Sequence, residues 1–146
     1  MDTRYRLAPM RDLRAREARV RQGELAGVLD GAQASAAEVA ECVHRLENLR
    51  AALDETARRR ALALAAGDAR IARITQLEQF AARLRREHDA ALGELARAEA
   101  RHHGQLAEVD AARHRLARAR ADRELIERHF ERWRAERARL AERREE

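Results

Sequence analysis

Two heptad repeats, one after the other with a single interruption between them, limit this 146-residue chain to very few folds. In the first, Leu25, Ala32, Val39, Leu46 and Leu53 recur at one seam position, and Val28, Ser35, Cys42, Leu49 and Thr56 at the other. In the second, Ile74, Ala81, His88, Leu95, His102, Val109, Leu116, Arg123 and Phe130 alternate with Leu77, Leu84, Ala91, Ala98, Gln105, Ala112, Ala119, Ile126, Trp133 and Leu140. An apolar period of 3.5 residues is the mark of helices that wind on one another, because it keeps one stripe facing the partner turn after turn. Upstream, Leu13 and Val20 are also seven apart but fit a shifted frame, which predicts a stutter between Val20 and Leu25.

Composition supports helix throughout. The chain is 45% hydrophobic, 3% aromatic and 39% charged, so it lacks the bulky side chains of a thick core. Much of the apolar share is alanine, and arginine, leucine and glutamate, all strong helix formers, supply most of the rest. One proline, Pro9, and six glycines leave nothing to punctuate strands. The apolar period fails around Arg58 to Arg60, and Gly67-Asp68 offers a helix-ending glycine followed by an N-cap. The reading is therefore all-α: a single antiparallel two-helix coiled-coil hairpin, with helix 1 over about 5–62, a turn over about 63–69 and helix 2 over about 70–143. A rod on the order of 80 to 110 Å follows from the rise per residue. Folding back at that turn sets residues whose numbers sum to about 133 opposite one another, so that Leu53 meets the level of Phe80 and Leu25 that of Val109. Helix 2 then overhangs helix 1 at the open end.

The hairpin joins the two basic ends of the sequence. Residues 1–21 hold seven arginines against three acids and residues 112–146 twelve against eight, whereas residues 22–111 hold twelve against fifteen. The open end is thus basic and the stretch towards the turn mildly acidic. A basic tip draws acidic surfaces by long-range attraction, whether nucleic acid, anionic lipid or an acidic protein cavity; the plainer account is a solvated face of i, i+4 arginine–glutamate pairs.

No catalytic or cofactor chemistry is legible. His102 and His103 point about 100° apart on a helix and His88 lies four turns from His102, so the six histidines provide no convergent ligand set for a metal. Seam histidines are expected to fix register instead. Cys42 packs as a small hydrophobe, and a lone cysteine allows no internal disulfide. No nucleophile has a base at usable spacing and no glycine-rich phosphate loop occurs, so the expectation is no enzyme, no cofactor and no small-molecule substrate. Without an apolar run of 18 residues or a secretory leader, membrane insertion is not expected and the default compartment is a reducing cytoplasm. Gly23, Gly27 and Gly31, set against His102, His103 and Gly104 by the pairing above, mark an expected bending point, a signature that close backbone approach by a partner would also leave. Phe130 and Trp133 fall in the overhang, either packed in the seam or presented to a partner. Phe80 and Leu84, one turn apart, are expected to form a small apolar patch towards the turn end.

Three segments carry a resemblance. RYRLAPMRDLRAREARV at the start, GDARIARITQLEQFAARLRREHDAAL after the turn and ERHFERWRAER near the end look like the corresponding parts of the stalk proteins of type III secretion and flagellar export, the FliJ/YscO/SctO family. The resemblance implies a structure akin to the shaft of rotary ATPases, its open end inserted in the hexameric secretion ATPase and its middle or turn end reaching the cytoplasmic ring of the export gate. It implies that Arg11, Arg14, Arg16, Arg19, Arg128, Arg132 and Arg134 engage the ATPase ring and that Phe80 and Leu84 engage the gate. Glu87 and Ala91 stand where the family can show alanine and histidine. Members are also linked to handing over export chaperones. Two other readings of the same residues stay open: a basic hairpin gripping a nucleic-acid backbone, with strongly salt-dependent affinity, and a passive structural coiled coil.

Overall fold

Helix-favouring residues separated by almost no breakers give two helices and nothing else of regular structure among the described residues. The computed structural model describes residues 4–66 and 71–145: α1 spans Ala8–Ala65 and α2 spans Ile71–Glu145. The chain is an all-α helical hairpin, as the two heptad frames require. Pro9 falls in the first turn of α1, where its missing N–H has no partner to lose. Just ahead of it the Ala8 amide donates to the Tyr5 carbonyl at 3.1 Å and that of Arg11 to Leu7 at 3.0 Å, which tightens the entry. α1 thus begins slightly later than expected and continues slightly further, and α2 matches its expected span closely. The proposed stop-start pair Gly67-Asp68 lies outside the described residues.

The chain divides into two compact units, one made of residues 1–31 with 106–146 and one of residues 32–105. In the second unit Ala32, Ser35, Leu46 and Thr56 of α1 are buried, as are Leu84, Ala91 and Ala98 of α2. Val39, Cys42, Leu49 and Leu53 are half-buried beside them. All ten seam positions read for the first helix are at least half-buried. The polar ones are tolerated because their hydroxyls bond within their own helix: Ser35 Oγ donates to the Ala32 carbonyl at 2.9 Å and Thr56 Oγ1 to that of Ala52 at 2.7 Å.

Register in this unit is read from pairs across the seam. Ser35 bonds His102, Arg45 bonds Glu94, Arg60 bonds Glu78 and Arg101 bonds Glu38. Their numbers sum to 137–139 rather than 133, a shift of about one helical turn. These pairs move the level of Leu53 from Phe80 towards Arg85, and both Leu53 and Arg85 line one groove between the helices. His102 has Ser35 as its partner, not glycine. Two of the bridges are seven residues apart and of opposite sense, Glu38–Arg101 and Arg45–Glu94. Sliding one helix by a heptad sets Arg45 against Arg101, or Glu38 against Glu94, so either slip brings like charges together. Exposed bridges contribute little stability each, but a pair of opposite sense selects one alignment over its neighbours.

In the first unit Ala18, Val109, Ala112, Leu116 and Ala119 form the buried seam. The frame of Leu25 runs upstream without a break, through Arg21, Ala18, Arg14 and Arg11, all buried or half-buried. The expected stutter is absent, and Leu13 and Val20 stand on the surface, 45% and 58% exposed. The repeat of large apolar residues marks the wrong stripe, because the true one is made of alanine and of arginines whose stems cover the seam while their heads reach water. Facing pairs here, Arg11 with Glu127 and Arg14 with Asp122, move the level of Leu25 from Val109 towards Ala112. Gly23 and Gly27 lie inside α1, and the space beside each is open. In α2 the seam positions Arg123 and Leu140 are exposed.

Candidate arginine–aromatic interface

The first unit closes on an aromatic cluster. Tyr5, ahead of α1, is buried against α2: its ring lies 5.0 Å from Phe130 in an edge-on arrangement, 5.2 Å from Trp133 and 5.8 Å from His129. Its hydroxyl is hydrogen-bonded to His129 Nδ1 at 2.8 Å. Phe130 and Trp133 stack at 5.8 Å. Both were placed by the heptad frame of α2, but Tyr5 was not, because a residue before the helix has no heptad position. Of the two expectations for Phe130 and Trp133, packing is what the structure shows, with Tyr5 as their partner, and α2 continues beyond the cluster to Glu145.

Arginines cover this cluster. Arg11 sets its guanidinium 4.1 Å from the Phe130 centroid while its Nε donates to Glu127 Oε1 at 2.8 Å. Arg134 lies 5.9 Å from Phe130, and Arg137 lies 5.9 Å from Trp133. A flat cation over a ring face is attracted by the negative centre of the ring. The hydrogen bond from Arg11, helped by the charges of Arg11 and Arg123, holds the Glu127 carboxyl below its ordinary range against a smaller opposing effect of burial. The same bond raises the affinity of Arg11 for its proton. One turn on, Arg14 donates to Glu17 at 2.8 Å and approaches Asp122 at 3.5 Å, and its proton is held more tightly for that reason.

The seven arginines singled out in the sequence all belong to this unit, but they are not equivalent. Arg11 and Arg14 are half-buried and committed to acids, Arg128 is bonded to Glu124, and Arg134 sits over Phe130. Arg16, Arg19 and Arg132 are exposed and make no ion pair among the described residues. In the other unit Phe80 is 40% exposed with Arg83 5.2 Å from its ring, whereas Leu84 is 7% exposed and belongs to the core. The two do not form a shared surface patch: Leu84 occupies a seam position, and its burial there outweighs its nearness to Phe80 in sequence.

His88 and His102 are half-buried at the seam and His129 joins the aromatic cluster, whereas His44, His103 and His114 are exposed. Ser35 has one hydroxyl proton, so bonding the Ala32 carbonyl and His102 Nδ1 together requires that nitrogen to donate to Ser35 Oγ, at 2.8 Å. No three His, Cys, Asp or Glu residues converge on a metal-sized site among the described residues. Cys42 is a half-buried free thiol. No helix among the described residues is long and apolar enough to cross a membrane. Compared with known protein families, characterised proteins and solved structures, the chain matches none.

Proposed function

We propose that this chain is an interaction protein without catalysis of its own, the stalk of a type III secretion or flagellar export apparatus. It works in the cytoplasm at the base of that apparatus, linking the hexameric secretion ATPase to the cytoplasmic ring of the export gate. The observation that carries the reading is the union of both arginine-rich ends in one unit, with Tyr5 and Arg11 of the N-terminal end locked on His129, Phe130 and Glu127 of the C-terminal end. Arg16, Arg19 and Arg132 are cations of that unit open to an acidic ring, while Arg11 and Arg14 join the two helices at the tip and Arg128 and Arg134 are held within α2. Gate contact falls to the exposed Phe80, whereas Leu84 belongs to the core. Delivery of export chaperones belongs to the same reading.

The test is to add the purified chain to a hexameric secretion ATPase. Hexamerisation and ATP turnover should rise, and Arg16→Glu with Arg19→Glu and Arg132→Glu should remove the rise without altering helicity. An ATPase indifferent to the chain overturns the proposal. The nucleic-acid reading has less behind it, because Phe130 and Trp133 are half-buried against Tyr5 and arginine rather than free to stack on bases.

A further inference from the structure

One apolar surface of the first unit is left unused by the hairpin. Leu7, Met10, Leu125 and Ile126 line an open groove between the two helices, with Arg14 and Arg132 at its sides. Leu125 is 65% exposed, and Leu7 and Met10 are exposed as well. A groove floor that the two helices do not bury against each other is available to a third element.

The shape and the charge specify the occupant. A groove between two antiparallel helices is a helix wide, and a third helix fills it with apolar side chains at i, i+3, i+4 and i+7. Three arginines edge the groove and its continuation: Arg14, tied to Glu17 and Asp122, Arg128, tied to Glu124, and Arg132, which is unpaired among the described residues. Asp122 and Glu131 are the acids at the same edges. The whole unit, residues 1–31 with 106–146, carries nineteen arginines against fifteen acids. A second copy of this chain seated there by two-fold symmetry sets those arginines against themselves. An apolar floor offers nothing to phosphates. We propose that the groove docks an amphipathic helix of a partner protein, apolar on one face and acidic along its flanks. This inference does not rest on the stalk reading, since it needs neither an ATPase nor an export gate.

The full chain is titrated against a fluorescent synthetic helix of about three heptads, leucine at its seam positions and glutamate on its flanks, and against the same helix flanked by lysine. The glutamate helix should bind at least about tenfold more tightly than the lysine helix. Met10→Glu and Leu125→Glu should each weaken it about tenfold or more, whereas Leu140→Glu, exposed and outside the groove, should not. Arg132→Glu should narrow the preference between the two helices. These are surface positions, so circular dichroism should show unchanged helicity in every variant. Absence of binding, equal binding of both helices, or indifference to Met10→Glu and Leu125→Glu overturns the proposal. So does dimerisation of the chain, or capture of duplex DNA or anionic vesicles, if the same two substitutions abolish it. None of these readouts contains an ATPase, so failure here and failure of the stalk reading are told apart.

Discussion

Arg11 illustrates how far a single residue's chemistry is written in a sequence. Its charge and its place near one end are legible, and so is the basic character of that end. Its commitment to Glu127 and Phe130 is not, because those partners lie more than a hundred residues away and depend on register to within one turn. The pair has a pH signature. Glu127 is held below its ordinary value of about 4.5, so its contribution is complete above that pH and is lost as pH falls through the lower folded value. Glu127→Gln should therefore lower the melting temperature at neutral pH, with the gap to the parent closing in a thermal-melt series as the pH falls below the ordinary carboxyl range. Tyr5 makes the same point for a residue outside any repeat. Tyr5→Ala should expose Trp133, the only tryptophan, and red-shift its emission, while Tyr5→Phe keeps the ring contacts and shifts it little.

At the scale of the helix, the heptad frame located the core of both units wherever apolar side chains carried it, except at Leu140, which is exposed. It failed where the seam is built of other material, at Arg11, Arg14, Ala18 and Arg21, and there exposed Leu13 and Val20 were the better match to a hydrophobic repeat. Helix ends were legible to within a few residues, since Pro9 and the arginine-rich run before Gly67 signal them chemically. Glycines are a second instance of the same limit. Gly23, Gly27 and Gly104 sit in helix with nothing near the position of a side chain, so they respond to no packing demand that the fold makes. Replacing each by alanine should stabilise the chain by about 1 kcal/mol, read as a higher denaturation midpoint. The opposite sign applies to Ala98, which is almost wholly buried in a seam with no room beside it. Ala98→Leu should cost about 1–3 kcal/mol by forcing the helices apart.

For the molecule as a whole, the direction of the return is the point on which every functional reading turns. With Cys42→Ala as background, a short bismaleimide should bridge Glu38→Cys to Arg101→Cys within one chain, giving a band at the monomer mass on a denaturing gel. A band at twice that mass overturns the hairpin. The fold class was legible because a coiled coil advertises itself by period alone. The candidate interface was less so, because arginines and one exposed phenylalanine have no spacing that distinguishes a binding surface from a solvated one, and only the structure shows which charges lie beside an acid.

The crossed bridges Glu38–Arg101 and Arg45–Glu94 have a consequence for how such a chain can change in descent. A sign reversal at any one of the four positions turns an attraction into a repulsion, and the loss is repaired most directly by a matching reversal in the other helix. Homologous chains are thus expected to vary at these sites in linked couples, sixty-three and forty-nine places apart. An inherited record of that kind would report the alignment of the two helices without a structure of either.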